Sequence, residues 1–339
     1  MIGSLDSTTW QKAMKAAIRD SLQLCQALGI DPNELPISVN GERQFPVFVP
    51  LEFLARMKHG DPFDPLLLQV IPRLGEDIAS PDFTSDPVGD CNVEMAPGLL
   101  HKYEGRVLLI VSGACAVHCR YCFRRHYPYS TAPKSIEHWL PALRYVRNDP
   151  SIHEIILSGG DPLTVADPQL SNLVELLDEI PHLTRLRIHT RVPVVIPQRV
   201  DTNLCNWLAG SRLAKWVVLH INHAHEIDSA VVEAIHRLKA TGTMVLNQSV
   251  LLRDVNDDLE TLQELCERLV DIGVMPYYLH QLDRVAGASH FEALPSLGLT
   301  LMEELAKRLP GYAVPKYVAE IAGEPNKTPV AVSALSHLP

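Results

Sequence analysis

At 339 residues, with 46% hydrophobic and 21% charged side chains, the chain can bury a sizeable core as one large α/β domain or two ordinary ones. Its net charge of −10 argues against a nucleic-acid surface, since phosphate binding asks for a basic face. No basic-then-apolar leader precedes a small-residue cleavage site, and no apolar run approaches the roughly 20 residues that cross a bilayer. Seven cysteines, three clustered and four scattered, do not make a disulfide framework in so long a chain, so the expected compartment is the reducing cytoplasm.

In chain order, residues 8–28 carry helix formers with apolar positions three and four apart, which predicts a helix with Ser7 as its N-cap. Ten prolines from Pro32 to Pro97 interrupt the next stretch, leaving one short expected helix from Leu51 to Gly60. Residues 1–100 therefore read as an N-terminal helical, irregular lobe. Beyond it, β-rich apolar runs recur at 107–112, 154–159, 184–190, 215–222, 243–252 and 275–283. Helical patterns at 171–180, 229–242 and 258–273 separate them. This alternation implies parallel βαβ units, and six units are too few to close an eight-strand barrel. The predicted fold is α/β: a partial, open (βα)6 barrel over 101–310, with its chemistry at the C-terminal ends of the strands. A short C-terminal segment, 311–339, carries Lys327 between glycine and proline.

Polar residues fall where that fold wants them. Cys115, Cys119 and Cys122 follow the first strand, Gly159-Gly160-Asp161-Pro162 the second, and Thr190-Arg191 the third; His220 and Asn222 end the fourth, Asn247 and Gln248 lie in the fifth, and Asp283 closes the sixth. The cysteines have the spacing C-x3-C-x2-C. Three thiolates can hold three irons of a cubane cluster and leave the fourth open to a ligand, which points to chemistry. A structural zinc site is the rival reading, with His118 or His126 as a fourth tetrahedral ligand. Ser158-Gly159-Gly160-Asp161 is good turn chemistry after any strand and gains meaning only beside the cysteines.

The cysteine spacing, directly after the first strand of a βα series, resembles the radical S-adenosylmethionine (SAM) superfamily, and SGGDPL (158–163) resembles its glycine-rich motif. PGLLHKYEGRVLL (97–109), CRYCFRRHYPY (119–129), RIHTRVPVVIP (187–197), HINHAHE (220–226), LNQSVLLRDVND (246–257) and GYAVPKYVAE (311–320) narrow the likeness. Together they resemble the lysine 2,3-aminomutase family over most of the chain. Within it, AGEPNKTPV (322–330) is most similar to the subgroup that makes (R)-β-lysine for the modification of elongation factor P.

The resemblance implies three cofactors: a 4Fe-4S cluster on Cys115, Cys119 and Cys122, SAM chelating the open iron, and pyridoxal 5′-phosphate (PLP) held covalently by Lys327. It places Ser158, Gly159, Gly160 and Asp161 at the methionyl end of SAM and Gln248 at its nucleoside, with His220 either nearby or structural. Tyr103 and Arg106 match positions at the PLP ring and phosphate. Lys102 stands where lysine-degrading relatives have arginine, which keeps the charge but loses the bidentate fork. Arg124 matches the clamp on the substrate carboxylate, with Arg120 and Arg125 as solvated or paired neighbours. Asp283 and Glu320 match the acidic positions for the substrate ε-ammonium, Glu320 replacing an aspartate. A Schiff-base lysine must be partly desolvated, so Lys327 is expected to be shielded at the barrel mouth.

The implied enzyme is an isomerase that turns free L-lysine into β-lysine, using a reductant such as flavodoxin or ferredoxin and supplying a separate elongation factor P ligase. Arginine or glutamate are the rival substrates, and two carboxylates argue against glutamate. A metal-stapled binding module without catalysis is the rival class. Lysine-degrading relatives extend further and bind zinc there. This chain ends twelve residues after Lys327 with no cysteine beyond Cys266, so no zinc and different subunit contacts are expected, with a homo-oligomer left open.

Overall fold

The computed structural model describes residues 9–129, 133 and 135–331, so the proposed Ser7 cap lies outside the described residues. Among the described residues, ten strands form one sheet in chain order: β1 (Glu94–Ala96), β2 (Leu99–Tyr103), β3 (Arg106–Ser112), β4 (Glu154–Gly159), β5 (Arg185–Thr190), β6 (Ala214–His220), β7 (Met244–Val250), β8 (Met275–His280), β9 (Lys316–Ala319) and β10 (Thr328–Pro329). Strands β3 to β9 run parallel. Antiparallel neighbours finish both edges, β1 and β2 on one side and β10 on the other. Among the described residues the two edges do not pair with each other, so the sheet is an open, partial barrel. Six of its strands, β3 to β8, are those read from the sequence, and β9 adds a seventh parallel strand after the helix Pro295–Arg308.

Helices fill the parallel crossovers, including Ile136–Asn148, Asp167–Asp178, Ser229–Ala240 and Leu259–Asp271. Aspartates start three of the outer helices: Asp201, Asp228 and Asp258 accept from the backbone N–H of Leu204, Val231 and Thr261. Each side chain satisfies a donor that the first helical turn leaves unpaired.

Period-two alternation decides which way each strand faces. Ile155 and Leu157 of β4, Leu186 and Ile188 of β5, Val217 and Leu219 of β6 and Val245 of β7 point outward into one apolar core. The alternate positions, such as Glu154, Ser158, Arg187, His189, His220, Gln248 and His280, line a cavity inside the sheet. A closed barrel fills this space with layers of side chains; here it stays open.

The N-terminal region departs from the local pattern. The helix expected over 8–28 is two helices, Thr9–Ala16 and Ser21–Leu28. Ile18 exchanges backbone hydrogen bonds with Val49 at 2.8 and 2.9 Å, and Asp20 caps the second helix through the Gln23 N–H. A distant strand-like partner thus overrides local propensity. The helix expected from Leu51 covers only Leu51–Leu54, and Gly60 adopts a positive φ of 74° while its N–H reaches the Leu28 carbonyl. Trp10, Leu24, Phe53 and Leu66 share the core that backs the barrel strands. Among the described residues, no helix is long and apolar enough to cross a membrane.

Candidate active site

A cavity of about 980 Å³ occupies the inside of the sheet. The structure brings to its wall Cys115, Cys119, Cys122, Ser158, Gly159, Gly160, Asp161, Gln248, Lys102, Tyr103, Arg106, Arg124, Asp283, Glu320 and Lys327. The site is not confined to the C-terminal rim. Arg106 opens β3 and Glu154 opens β4, so the cavity runs down the length of the barrel.

The cysteine loop leaves β3 and turns tightly, with the Cys122 N–H bonded to the Cys119 carbonyl at 3.0 Å. Burial pushes the Cys115 thiol well up, with Cys122, Asp161 and Cys119 adding to the effect; Cys122 is pushed up to about 11 by burial and by Cys119. Such thiols become ligands when a cation compensates their charge. Among the described residues, no three His, Cys, Asp or Glu side chains converge on a single ion. A cubane takes each thiolate on a different iron and so does not ask three thiolates to converge on one ion. The two histidines that a zinc site would call on are engaged elsewhere: His118 Nδ1 lies 2.7 Å from the Pro46 carbonyl and His126 Nε2 3.0 Å from that of Ala286.

The loop after β4 lies backbone to backbone against the cysteine loop. The Gly160 N–H donates to the Ser112 carbonyl at 2.8 Å and the Asp161 N–H to that of Ala114 at 2.7 Å. Gly159 has φ 128°, and a Cβ on Gly159 or Gly160 would collide with those same carbonyl groups. Asp161 fastens the loop to the end of β5, accepting from the Thr190 hydroxyl at 2.8 Å and the Arg191 N–H at 2.7 Å. Its influence on a ligand therefore runs through placement of the glycines.

Gln248 donates through Nε2 to His220 Nε2 at 3.0 Å, and its buried Oε1 has no partner among the described residues. Burial, then the charges of Arg191, Lys327 and Arg124, drive His220 down to about 3, so it is neutral. His189 and His280 are likewise held well below the ordinary histidine value by burial, and each has a ring Nε2 without a partner among the described residues. Inward parity on their strands is the sequence signal for these two, and His189 also lies in the run RIHTRVPVVIP (187–197).

At the other end, Lys327 is partly shielded, its side chain 25% exposed, and donates to Glu320 at 2.7 Å. Tyr103 donates to the other Glu320 oxygen at 2.5 Å. Arg106 stacks over the Tyr103 ring, 4.6 Å from its centroid, and makes no hydrogen bond or ion pair among the described residues. Lys102 pairs with Asp90 at 2.7 Å and approaches Glu320 at 3.5 Å. Arg124 uses Nε on Asp90 at 2.6 Å and Nη1 on Ser158 at 3.3 Å, leaving Nη2 for another acceptor. The Asp283 carboxyl group has no hydrogen-bond or ion-pair partner among the described residues; burial lifts it to about 7, with Lys327 opposing and Glu320 adding. Arg120 and Arg125 lie outside the cavity wall and pair with Glu76 at 2.5 and 2.7 Å.

Asp90 was not legible in the sequence, where it sits in a proline-broken loop without a motif. Arg191 was placed with Thr190 at the end of the third predicted strand without a role, and Glu226 was visible only as part of a longer run. The structure makes Asp90 the shared counter-ion of Lys102 and Arg124, and it joins Arg191 to Cys119.

The parallel partial barrel and the three thiols on its first loop define an iron–sulfur protein with room for large ligands. A family model described as "4Fe-4S single cluster domain" matches residues 103–188. The L-lysine 2,3-aminomutase of Haemophilus influenzae is 44% identical over 95% of this chain and 96% of its own length. That of Escherichia coli is 46% identical over 95% and 94%. A radical SAM methyltransferase structure from Sphaerobacter thermophilus has a TM-score of 0.47 at 18% identity, covering 65% of this chain and 68% of that one. The chain belongs to the lysine 2,3-aminomutase family and is an isomerase of the aminomutase class.

The cofactor set of that family, a 4Fe-4S cluster, SAM and PLP, fits the donors present. The thiols face one cavity, the glycines bare their backbone and the buried Gln248 Oε1 is unmatched. The Arg106 cation, on the same cavity wall as Lys327, has no counter-ion among the described residues.

Proposed function

We propose that the protein converts L-lysine into (R)-β-lysine by moving the amino group from Cα to Cβ, for delivery to a ligase that modifies elongation factor P. The observation that carries this reading is the continuous cavity joining the three cysteines to Lys327, Arg124, Asp283 and Glu320. When bound, the cluster and SAM supply a carbon radical that removes a substrate hydrogen, and PLP supplies a conjugated system that spreads the unpaired electron.

The chain's own residues position these groups and exclude water. Cys115, Cys119 and Cys122 hold the cluster; Ser158, Gly159 and Gly160, fixed by Asp161, place the methionyl end of SAM, and Gln248 offers Oε1 to its nucleoside. Arg106 and Lys102 supply the charge for the PLP phosphate, with Tyr103 against the ring and Lys327 as the nucleophile that anchors it. Arg124 presents its remaining donors to the substrate carboxylate. Glu320, which pairs with Lys327, and the unpartnered Asp283 put two carboxylates where the ε-ammonium would lie. That charge favours a cationic side chain and repels glutamate. The electron comes from a flavodoxin- or ferredoxin-like donor, and the setting is the cytoplasm.

Anaerobic incubation with L-lysine, SAM and a reductant, followed by chiral analysis, should yield (R)-β-lysine. A clear preference for glutamate or arginine overturns the substrate assignment, and a colourless zinc protein overturns the radical chemistry.

A further inference from the structure

We propose that Arg191 is a redox-positioning residue: its guanidinium, balanced by the buried Glu226, sets the reduction potential of the cluster through a hydrogen bond to the Cys119 sulfur. The inference rests on the cluster assignment above and concerns a residue outside the cysteine motif.

Arg191 follows β5 directly and is 5% exposed. Its Nη1 lies 2.7 Å from Cys119 Sγ and 2.8 Å from the Tyr121 hydroxyl, and its Nη2 lies 2.6 Å from Gln69 Oε1 and 2.9 Å from Glu226 Oε2. Glu226, 0% exposed, is fixed in turn, since its Oε1 accepts from the Asn222 N–H at 2.9 Å and from Gln69 Nε2 at 3.2 Å. The guanidinium therefore has no freedom to turn from the sulfur. Among the described residues, neither Cys115 nor Cys122 receives a comparable side-chain hydrogen bond.

Reduction of a 4Fe-4S cluster adds one electron from a one-electron reductant and breaks no ligand bond. The added negative charge spreads over the sulfurs. A cationic donor on one of them, in a dry site, stabilises the reduced form more than the oxidised form and raises the potential. Glu226 opposes this by neutralising part of the arginine charge. The pair therefore predicts opposite effects: loss of Arg191 lowers the potential, and loss of the Glu226 charge raises it. A purely structural role would not reverse sign between them.

The test uses the full chain, reconstituted anaerobically without SAM or lysine. Iron and sulfide are assayed, and the midpoint potential is followed by electron paramagnetic resonance during a redox titration. Arg191→Met should shift the reduction equilibrium at least tenfold toward the oxidised cluster, about 59 mV lower for one electron. Arg191→Lys should shift it less in the same direction, and Glu226→Gln should shift it upward. Loaded variants with the wild-type potential, or arginine and glutamate variants shifted the same way, overturn the proposal. If Arg191→Met cannot hold iron, Arg191→Lys and Glu226→Gln decide alone by the same criterion. A wild-type protein without iron and sulfide overturns the functional reading as well, whereas a wild-type cluster with unmoved variants overturns this inference only.

Discussion

Lys327 Nζ and Glu320 Oε2 lie 2.7 Å apart, so the amine proposed to anchor PLP and a carboxylate proposed to meet the substrate form one ion pair. Burial pulls the Glu320 carboxyl upward, but Lys327, Tyr103 and Lys102 outweigh it and hold the group below its ordinary value. On the proposed function, Glu320→Gln removes one of the two carboxylates assigned to the substrate ammonium. The KM for L-lysine should rise roughly tenfold, equivalent to about 1.4 kcal/mol, while borohydride still traps PLP on Lys327. An unchanged KM would remove Glu320 from the substrate site.

Asp283 gives a pH prediction of definite sign. With its carboxyl lifted to about 7, mainly by burial, it loses its charge as pH falls below neutral. Affinity for L-lysine should therefore weaken between about pH 8 and pH 6, and Asp283→Asn should flatten that profile. The folded state also binds a proton here that the unfolded chain releases at lower pH. The stability of Asp283→Asn relative to wild type should accordingly improve as pH rises from about 5 to 8, which denaturant titrations at several pH values would show or exclude.

Asp90 supports two cations from a buried position, at 2.6 Å from Arg124 and 2.7 Å from Lys102. Burial raises its carboxyl, yet the two cations prevail and leave it below its ordinary value. Its stabilisation is therefore present at neutral pH and is lost as pH falls through the folded-state value. Asp90→Asn leaves both cations without their partner and should cost about 3 kcal/mol in unfolding free energy, read by denaturant titration at neutral pH.

The two ends of the cavity should separate by mutation. Cys119→Ala should prevent cluster assembly, seen as loss of iron, sulfide and brown colour. Lys327→Ala should keep the cluster, lose the borohydride-trapped PLP and reduce turnover to background. Normal turnover in Lys327→Ala would refute the PLP assignment.

The strands β3 to β8 were legible because each is a short apolar run bounded by turn residues, and the crossover helices restore the rhythm. The break at Ile18 was not, because its cause is a pairing with Val49, thirty-one residues away, that no local window contains. The strands β1, β2, β9 and β10 toward the two edges escaped notice for a related reason: they are short and gain their order from neighbours already in the sheet. At the site, the family motifs named residues but not their partners. Asp90 carries no motif, and only the folded chain shows that Arg124 and Lys102 both depend on it.

The alternation along the strands has a further consequence. In β4, Ile155 and Leu157 bind the sheet to its helices while Glu154, Ser158 and their inward neighbours face the cavity. One strand thus carries two messages on opposite faces. Truncating an outward aliphatic residue should cost about 2–5 kcal/mol, whereas inward changes away from ion pairs touch little of the packing. The lineage could revise its chemistry from within while its scaffold stood still.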